Sequence, residues 1–256
     1  MVKSKNRSPF SSLENALRIL NLFSMDETEL SLLEISERIE VGKSTAHRLL
    51  QTLKSEGFIK KDPRTNLYSL GTSILATNKI IQSRFAICNI ASPFLQKLVE
   101  ESGESAHIAK LQDADVIYLH KIECNHPIRL LSYTGKRNPA FCTGSGQAIL
   151  AFQSKEVIDK VIQNGLTRYT SKTITSPELF QRKLKQIQKQ GYALSIEELH
   201  EGVVSISAPI WSRNNRVLYS VSIAGPIQRI NKDSIPKLAQ LVIKTGEALS
   251  KHLQKR

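Results

Sequence analysis

Leu30-Ser-Leu-Leu-Glu-Ile-Ser36, followed after a break by Gly42-Lys-Ser-Thr-Ala-His-Arg-Leu-Leu50, decides how this sequence is read. Ser31 with Glu34 three residues on is a capping box, so a helix starts there, with Leu32, Ile35 and Ile39 as its buried positions. Val41-Gly42 ends it, and Gly42 permits a tight turn. Ala46, Leu49, Leu50 and Leu53 recur at i, i+3, i+4 and i+7 and predict a helix over residues 43–55. Its other face is Ser44, Thr45, His47, Arg48, Gln51 and Lys54. Short polar side chains on that face let a backbone enter a DNA major groove.

Upstream, Ser11 with Glu14 caps a first helix over residues 13–23, with Leu13, Leu17, Ile19, Leu20 and Phe23 at helical spacing. Downstream, Gly57 sits where a left-handed glycine closes a helix. Residues 58–61 and 67–70 then read as two short strands around the turn Asp62-Pro-Arg-Thr-Asn66. Helix, short helix, glycine turn, helix and basic hairpin describe a winged helix-turn-helix. Lys43, Ser44 and Thr45 suit phosphates at the start of the third helix. Arg48 has the fork that pairs with guanine edges, and His47 and Gln51 could reach bases or phosphates. Lys60, Lys61 and Arg64 of the wing are placed to meet the flanking backbone. Gly42-Lys43-Ser44-Thr45 resembles the end of a phosphate-binding loop, but Glu37 stands where that motif needs glycine and no strand precedes it.

The chain has 256 residues, 36 Lys and Arg against 23 Asp and Glu, and a net charge of +13. Such an excess favours polyanionic partners. Residues 1–72 carry 11 basic and 9 acidic side chains, so their contribution is polarisation rather than net charge. Acids gather between Asp26 and Glu40, and bases gather in the tail (Lys3, Lys5, Arg7) and between Lys43 and Arg64. No apolar run reaches the roughly 18 residues of a membrane span, and the first residues lack a secretory pattern. Three cysteines, Cys88, Cys124 and Cys142, form no disulfide framework, which fits a reducing cytoplasm.

Beyond residue 72 the pattern is helical in two pieces. Thr72-Ser73 starts a linker helix through Ile74, Ile80 and Ile81, and Ile90, Phe94, Leu95 and Leu98 mark the next helix, with a kink or restart expected at Pro93. The period then changes to two. Strands are expected at 106–108, 116–118, 128–131, 192–195, 203–209 and 217–224, and helices at 144–152, 155–164, 177–189 and 234–252. Mostly local strand pairs mixed with helices give an α+β domain. The expected organisation is a basic disordered tail (1–10), a winged helix-turn-helix (11–71), a linker helix (72–85) and an effector-binding and oligomerisation domain (86–256).

His120, Cys124 and His126 lie close in sequence, but their spacing matches no zinc signature, and neither a metal nor a cofactor is expected. Cys142 has no His or acid partner assignable by spacing, so a pocket wall is a better reading than a nucleophile. Tyr118, Trp211 and Tyr219 read as core or interface. Thr143-Gly-Ser-Gly146 before a helix offers amides and a positive helix end to a carboxylate, and Gly144 and Gly146 would allow close backbone approach.

Along nearly its whole length the chain resembles the IclR-type bacterial transcription regulators. The resemblance is carried by the two segments quoted first and by Gly135-Lys-Arg-Asn-Pro139, Thr143-Gly-Ser-Gly-Gln-Ala-Ile-Leu-Ala151, Gly191-Tyr-Ala193, Glu197-Glu198, Gly202-Val203, Ala208-Pro209-Ile210 and Ser222-Ile-Ala-Gly-Pro226. It implies a winged helix-turn-helix, a linker helix and a GAF/profilin-like α+β effector domain. It also implies a dimer or dimer of dimers on palindromic double-stranded DNA, and a small organic-acid effector. Cys142, Thr143, Gly144, Ser145, Gly146, Ser195, Ser205 and Ser222 are the expected effector residues. In the family pattern an acid follows Gly-Tyr-Ala by two positions and a Cys lies ten residues after it; here these are Ser195 and Ser205, and Ala224 replaces a Ser of the last strand. Losing the acid removes an acceptor for a hydroxyl-bearing ligand, which leaves the effector open. The leading reading is an effector-responsive repressor in the cytoplasm. Its competitors are an enzyme acting on a small carboxylic acid with a tethered DNA-binding domain, and an architectural protein with an empty sensory domain.

Overall fold

A computed structural model describes residues 10–84, 86–126 and 132–254. The expected tail with Lys3, Lys5 and Arg7, the strand at 128–131 and the side chain of Ile81 lie outside the described residues. The chain divides into two compact units, residues 1–84 and 85–256.

Unit one contains α1 (Ser12–Leu20), α2 (Leu32–Arg38), α3 (Lys43–Ser55), the hairpin β1 (Ile59–Lys61) and β2 (Tyr68–Leu70), and α4 (Ser73–Arg84). Both capping boxes form: Ser11 accepts from the Glu14 amide while Glu14 accepts from Ser11, and Ser31 and Glu34 do the same. Each satisfies two otherwise orphaned amides. Gly57, at φ +73°, turns the chain out of α3 into β1 through a conformation that disfavours side chains. A bridge between Leu30 and Tyr68 ties the approach to α2 onto the wing. Ile19, Leu30, Ile35, Ile39, Leu49, Leu50, Leu53, Ile59 and Tyr68 form one small core.

The buried side of α1 differs from the expected stripe. Leu13 and Leu17 are 70% and 52% exposed, whereas Ile19 and Asn15 are buried. Asn15 tolerates burial because its Nδ2 donates to Phe10 O at 3.2 Å and its Oδ1 accepts from Arg18 at 3.2 Å. Arg18 also donates to Ile39 O at 2.8 Å, closing the end of α2. A polar contact between helices thus sets the rotation of α1. The helix also stops at Leu20, short of the expected residue 23.

Unit two is built on a six-stranded antiparallel sheet in the order β5-β4-β3-β8-β7-β6. The strands are β3 (Ser105–Gln112), β4 (Asp115–Ile122), β5 (Arg137–Pro139), β6 (Ala193–Ile196), β7 (Val203–Trp211) and β8 (Val217–Pro226). The helices are α5 (Ala86–Ser102), α6 (Gly144–Leu150), α7 (Lys155–Gln163), α8 (Pro177–Gln190) and α9 (Ile235–Gln254). α5 runs as one element with Pro93 inside it, so the expected restart is absent. The lost N–H bond is offset by Ile87, Ala91, Leu95 and Leu98, which anchor both halves in the core. The short strand β5 and the 3-10 turn Ala140–Cys142 had no sequence signal.

Side chains alternate across the sheet with period two. On β7 Val204, Ile206, Ala208 and Ile210 join the core of α5 and α9, as do Ala106 and Ile108 of β3 and Val221 and Ile223 of β8. Intervening positions are polar at His107 on β3, Ser205 and Ser207 on β7, and Ser220 and Ser222 on β8. Every residue of α6 is buried against this face. Ser145 Oγ donates to Ser222 Oγ at 3.0 Å, and Ser220 Oγ donates to Ser145 O at 3.0 Å.

Gly146 allows α6 to follow the 3-10 turn so closely. A Cβ there would stand 2.1 Å from Ala140 O and 2.4 Å from its Cα. Both neighbours are backbone, so they cannot rotate away. Gly146→Ala is expected to destabilise unit two by roughly 1–3 kcal/mol or more, as overpacking does. Denaturant unfolding followed by Trp211 fluorescence, which reports on this unit alone, checks it; an unchanged midpoint would contradict the close-approach account.

Candidate functional site

The first candidate surface follows from how α3 is split. Ala46, Leu49, Leu50 and Leu53 are buried. The opposite face is therefore held outward: Lys43, Ser44, His47, Arg48, Gln51 and Lys54 are exposed, and Thr45 is half-buried. Gln51 Nε2 lies 3.2 Å from His47 Nε2 one turn back. Gly42 gives α3 no side-chain cap, unlike α1 and α2, so its first-turn amides stay open. Lys60 and Arg64 are exposed on the wing, while Lys61 is half-buried over the Tyr68 ring, 5.4 Å from its centroid. Among the described residues none of Lys43, Arg48, Lys54, Lys60 or Arg64 has a carboxylate within 4 Å. Three acids of this unit are engaged elsewhere: Glu27 holds Arg38 at 2.6 Å, and Glu14 and Glu34 cap helices. All nine residues expected to meet DNA thus fall on one short segment of α3 and its hairpin.

The second candidate is a cavity of about 400 Å3 in unit two. Of the expected effector residues, Cys142, Thr143, Ser195 and Ser205 line it. Gly144, Ser145, Gly146 and Ser222 do not; they lie behind that wall. The Gly146 amide donates to Thr143 Oγ1 at 3.2 Å, and Ser145 and Ser222 bond to each other. A Cβ on Gly144 would stand 2.6 Å from Ser205 Oγ, so this glycine meets the sheet.

Sequence reasoning missed His107, Tyr118, Asn138 and Glu198 on the cavity wall. His107 and Tyr118 were legible only through strand alternation, which turns them to the α6 side. Their rings are tilted, with centroids 5.0 Å apart. Tyr118, expected in core or interface, packs against the core that holds Phe141, Ile149 and Phe180, and also lines the cavity. Trp211 packs edge-on against Phe152 at 4.9 Å, and Tyr219 is half-buried against the α5–α9 core.

Burial governs the charge states here. It raises the Cys142 thiol, with help from Glu198 and Asp115, to about 12, so the thiol keeps its proton at neutral pH. Burial also raises Glu198, against the opposing pull of Lys183, Gln147 and Ser195. Glu198 Oε2 accepts from Gln147 Nε2 at 2.7 Å, and Lys183 Nζ stands 3.8 Å from Oε1. Burial, with the charge of Lys121, pushes His107 down to about 3. His107 Nε2 lies 2.8 Å from Ser132 Oγ. Among the described residues no group of three His, Cys, Asp or Glu is placed to hold a metal. No helix among them is long and apolar enough to cross a membrane.

Two family models match: the IclR helix-turn-helix domain over residues 12–63, and the bacterial transcriptional regulator IclR C-terminal domain over residues 80–251. The chain belongs to the IclR family of bacterial transcription regulators. It is 30% identical over 243 residues to the HTH-type transcriptional regulator XynR of Escherichia coli (strain K12), spanning 94% of this chain and 96% of that protein. It is also 30% identical to the transcriptional repressor IclR of the same organism, across 93% and 88% of the two chains. The crystal structure of the Thermotoga maritima IclR matches with a TM-score of 0.78 at 26% identity, covering 95% of this chain and 98% of that one. An IclR homologue from Microbacterium hydrocarbonoxydans complexed with 4-hydroxybenzoate shares the fold, with a TM-score of 0.82 at 23% identity over 96% and 100%. This IclR-family chain is thus a helix-turn-helix regulator with an effector-binding C-terminal domain, and the relatives named here are regulators and repressors rather than enzymes.

His107 makes a pH prediction for the regulator. Its folded-state value of about 3 lies below the ordinary imidazole value of 6.5, so the folded state rejects a proton that the unfolded chain accepts. The stability it gives is complete above about pH 6.5 and is lost as pH falls towards 3, at up to about 1.4 kcal/mol per pH unit. His107→Gln is expected to flatten that limb. Urea unfolding at several pH values between 4 and 7 checks it; equal slopes in parent and variant would refute the assignment.

Proposed function

We propose that this regulator represses transcription by binding a palindromic operator as a homodimer or dimer of dimers, through α3 and the wing of each copy. The observation that carries this reading is the outward face of α3, whose cations have no carboxylate within 4 Å among the described residues while its apolar side is locked in the core. Arg48 would read a guanine edge, with His47 and Gln51 beside it. Lys43, Ser44 and Thr45, at an uncapped helix start, would hold a phosphate, and Lys60, Lys61 and Arg64 would follow the flanking backbone. One helix reads only a few base pairs, and paired half-sites about a helical turn or more apart supply the remaining specificity. Acting on the chromosome places the protein in the cytoplasm.

The cavity of unit two would take a small organic acid that alters operator affinity, with the reciprocal effect that linkage demands. Thr143, Ser195 and Ser205 offer hydroxyls to it. The amides of Gly144, Ser145 and Gly146 lie behind the cavity wall, so these hydroxyls are the groups left to meet the acid. The 4-hydroxybenzoate held by the Microbacterium homologue supports an acid of modest size.

Selection of bound duplexes from a random pool by the full-length chain tests the DNA reading. The recovered sites are expected to share a two-fold symmetric sequence. Arg48→Ala should weaken that site by about 1–3 kcal/mol, and Lys60→Ala should weaken all duplexes and shallow the salt dependence by about one unit of slope. A pool with no shared sequence, or an Arg48→Ala protein that binds like the parent at matched salt, would overturn it.

A further inference from the structure

We propose that Ser73 is a positioning residue for operator recognition. By clasping the start of α4 to the end of α3, it fixes the direction in which α3 is held, and so the half-site spacing that the protein accepts. This rests on the reading of paired copies on a two-fold symmetric operator.

The chain leaves the wing and passes the C-terminal end of α3 as it enters α4. Ser73, the first residue of α4, makes two hydrogen bonds there. Its Oγ donates to Glu56 O at 3.1 Å, and its N–H donates to Gly57 O at 3.2 Å. Both carbonyls lie past the end of α3 at Ser55, where no intrahelical donor reaches them. Two residues before Ser73, the Gly71 N–H donates to Phe58 O at 2.7 Å. The backbones meet too closely to admit side chains. A Cβ on Gly71 would stand 2.1 Å from Gly57 O, and one on Gly57 would stand 2.5 Å from Ser73 Oγ. The carbonyls of Glu56, Gly57 and Phe58 are thus all taken by the segment 71–73.

The clasp matters because the rest of α4 does not lean on unit one. Leu75, Ala76, Thr77, Asn78 and Ile80 are exposed, Leu75 at 67% and Ile80 at 60%. Among the described residues, no apolar side chain of α4 is in the core that holds Ile19, Leu50 and Tyr68. A helix packed along its length is aimed by that packing; this one is aimed by its first turn. The wing is tied in as well, since Leu30 and Tyr68 exchange backbone bonds at 2.9 and 2.8 Å. The end of α3, the wing and the start of α4 are therefore joined as one body.

Stiffness at this joint translates into spacing. One added base pair moves a half-site by about 3.4 Å along the duplex and turns it by roughly a tenth of a turn. A loose joint lets α3 follow that change at little cost, as a flexible linker does. A clasped joint holds α3 where it is, so the second half-site is missed.

The test uses the full-length chain and duplexes built from the half-site that selection recovers. These are the half-site alone and the two-fold operator with its spacer lengthened or shortened by one base pair. Ser73→Pro removes both bonds, and proline is well tolerated at the first position of a helix. Ser73→Thr keeps both donors. The parent and Ser73→Thr are expected to bind the selected spacing tenfold or more tightly than its neighbours. Ser73→Pro is expected to bind the single half-site within twofold of the parent, while its preference for spacing drops below threefold. An unchanged spacing preference in Ser73→Pro, or a Ser73→Thr protein that behaves like Ser73→Pro, would overturn the proposal. So would a loss of half-site affinity in Ser73→Pro as large as its loss on the operator, since the clasp would then only hold the fold. Two results in the parent separate this role from the operator reading. If the operator outbinds the half-site equally at every spacing, the role of Ser73 falls and the operator reading stands. If no spacing outbinds the half-site, the operator reading falls and the role of Ser73 with it.

Discussion

The close approach of α6 to the serine-bearing face of the sheet is the constraint on which unit two depends. A seven-residue helix buried on all sides has no solvent to satisfy it. It is accommodated because Gly144 and Gly146 have no Cβ and because the sheet below offers Ser205, Ser207, Ser220 and Ser222 in place of branched apolar residues. Ser220 and Ser222 then serve as hydrogen-bond partners for the helix, both through Ser145. Holding α6 down also fixes Cys142 and Thr143 at the mouth of the helix, where they become cavity wall. Packing and cavity are therefore one device: the same small polar residues that admit the helix leave the space beside it.

Unit one solves a different problem with the opposite economy. Its core is small, and α3 uses its full apolar stripe for that core. Nothing apolar on α3 remains to cover the outer face, and among the described residues no acid pairs with its cations. Glu14 of α1 and Glu34 of α2 cap their helices, and Glu27, before α2, holds Arg38. A surface of unpaired cations and open first-turn amides is costly against solvent only in repulsion, and phosphates relieve it.

Much of this was legible from local pattern. Caps at Ser11, Ser31 and Ser176, the stripe Ala46–Leu49–Leu50–Leu53 and the stops at Gly57 and Gly191 are short-range signals, and each one sits where the chain does what it encodes. The rotation of α1 was not legible, because it depends on Asn15 finding Phe10 and Arg18 finding Ile39. β5 and the turn at 140–142 were not legible either, since three residues carry no period. The cavity was half visible. Thr143–Gly146 was a sequence motif, but the motif's glycines face protein backbone and side chains, and the walls come from β3, β4 and the 195–205 segment. Glu198 stood in plain view in Glu197-Glu198, yet only the fold shows that a carboxylate lies in the cavity next to a position where the family's usual acid is Ser195.

Hydrogen–deuterium exchange of the full-length chain, with and without a selected operator duplex, tests the central claim most directly. The claim is that DNA meets the uncapped start and outer face of α3 together with the wing. The amides of Lys43, Ser44 and Thr45 have no intrahelical or side-chain acceptor and should exchange quickly in the free protein. With operator they are expected to slow by an order of magnitude or more, along with amides of residues 60–66, while the capped starts of α1 and α2 change little. Operator-dependent protection confined to other segments, with residues 43–45 exchanging as in the free protein, would contradict it.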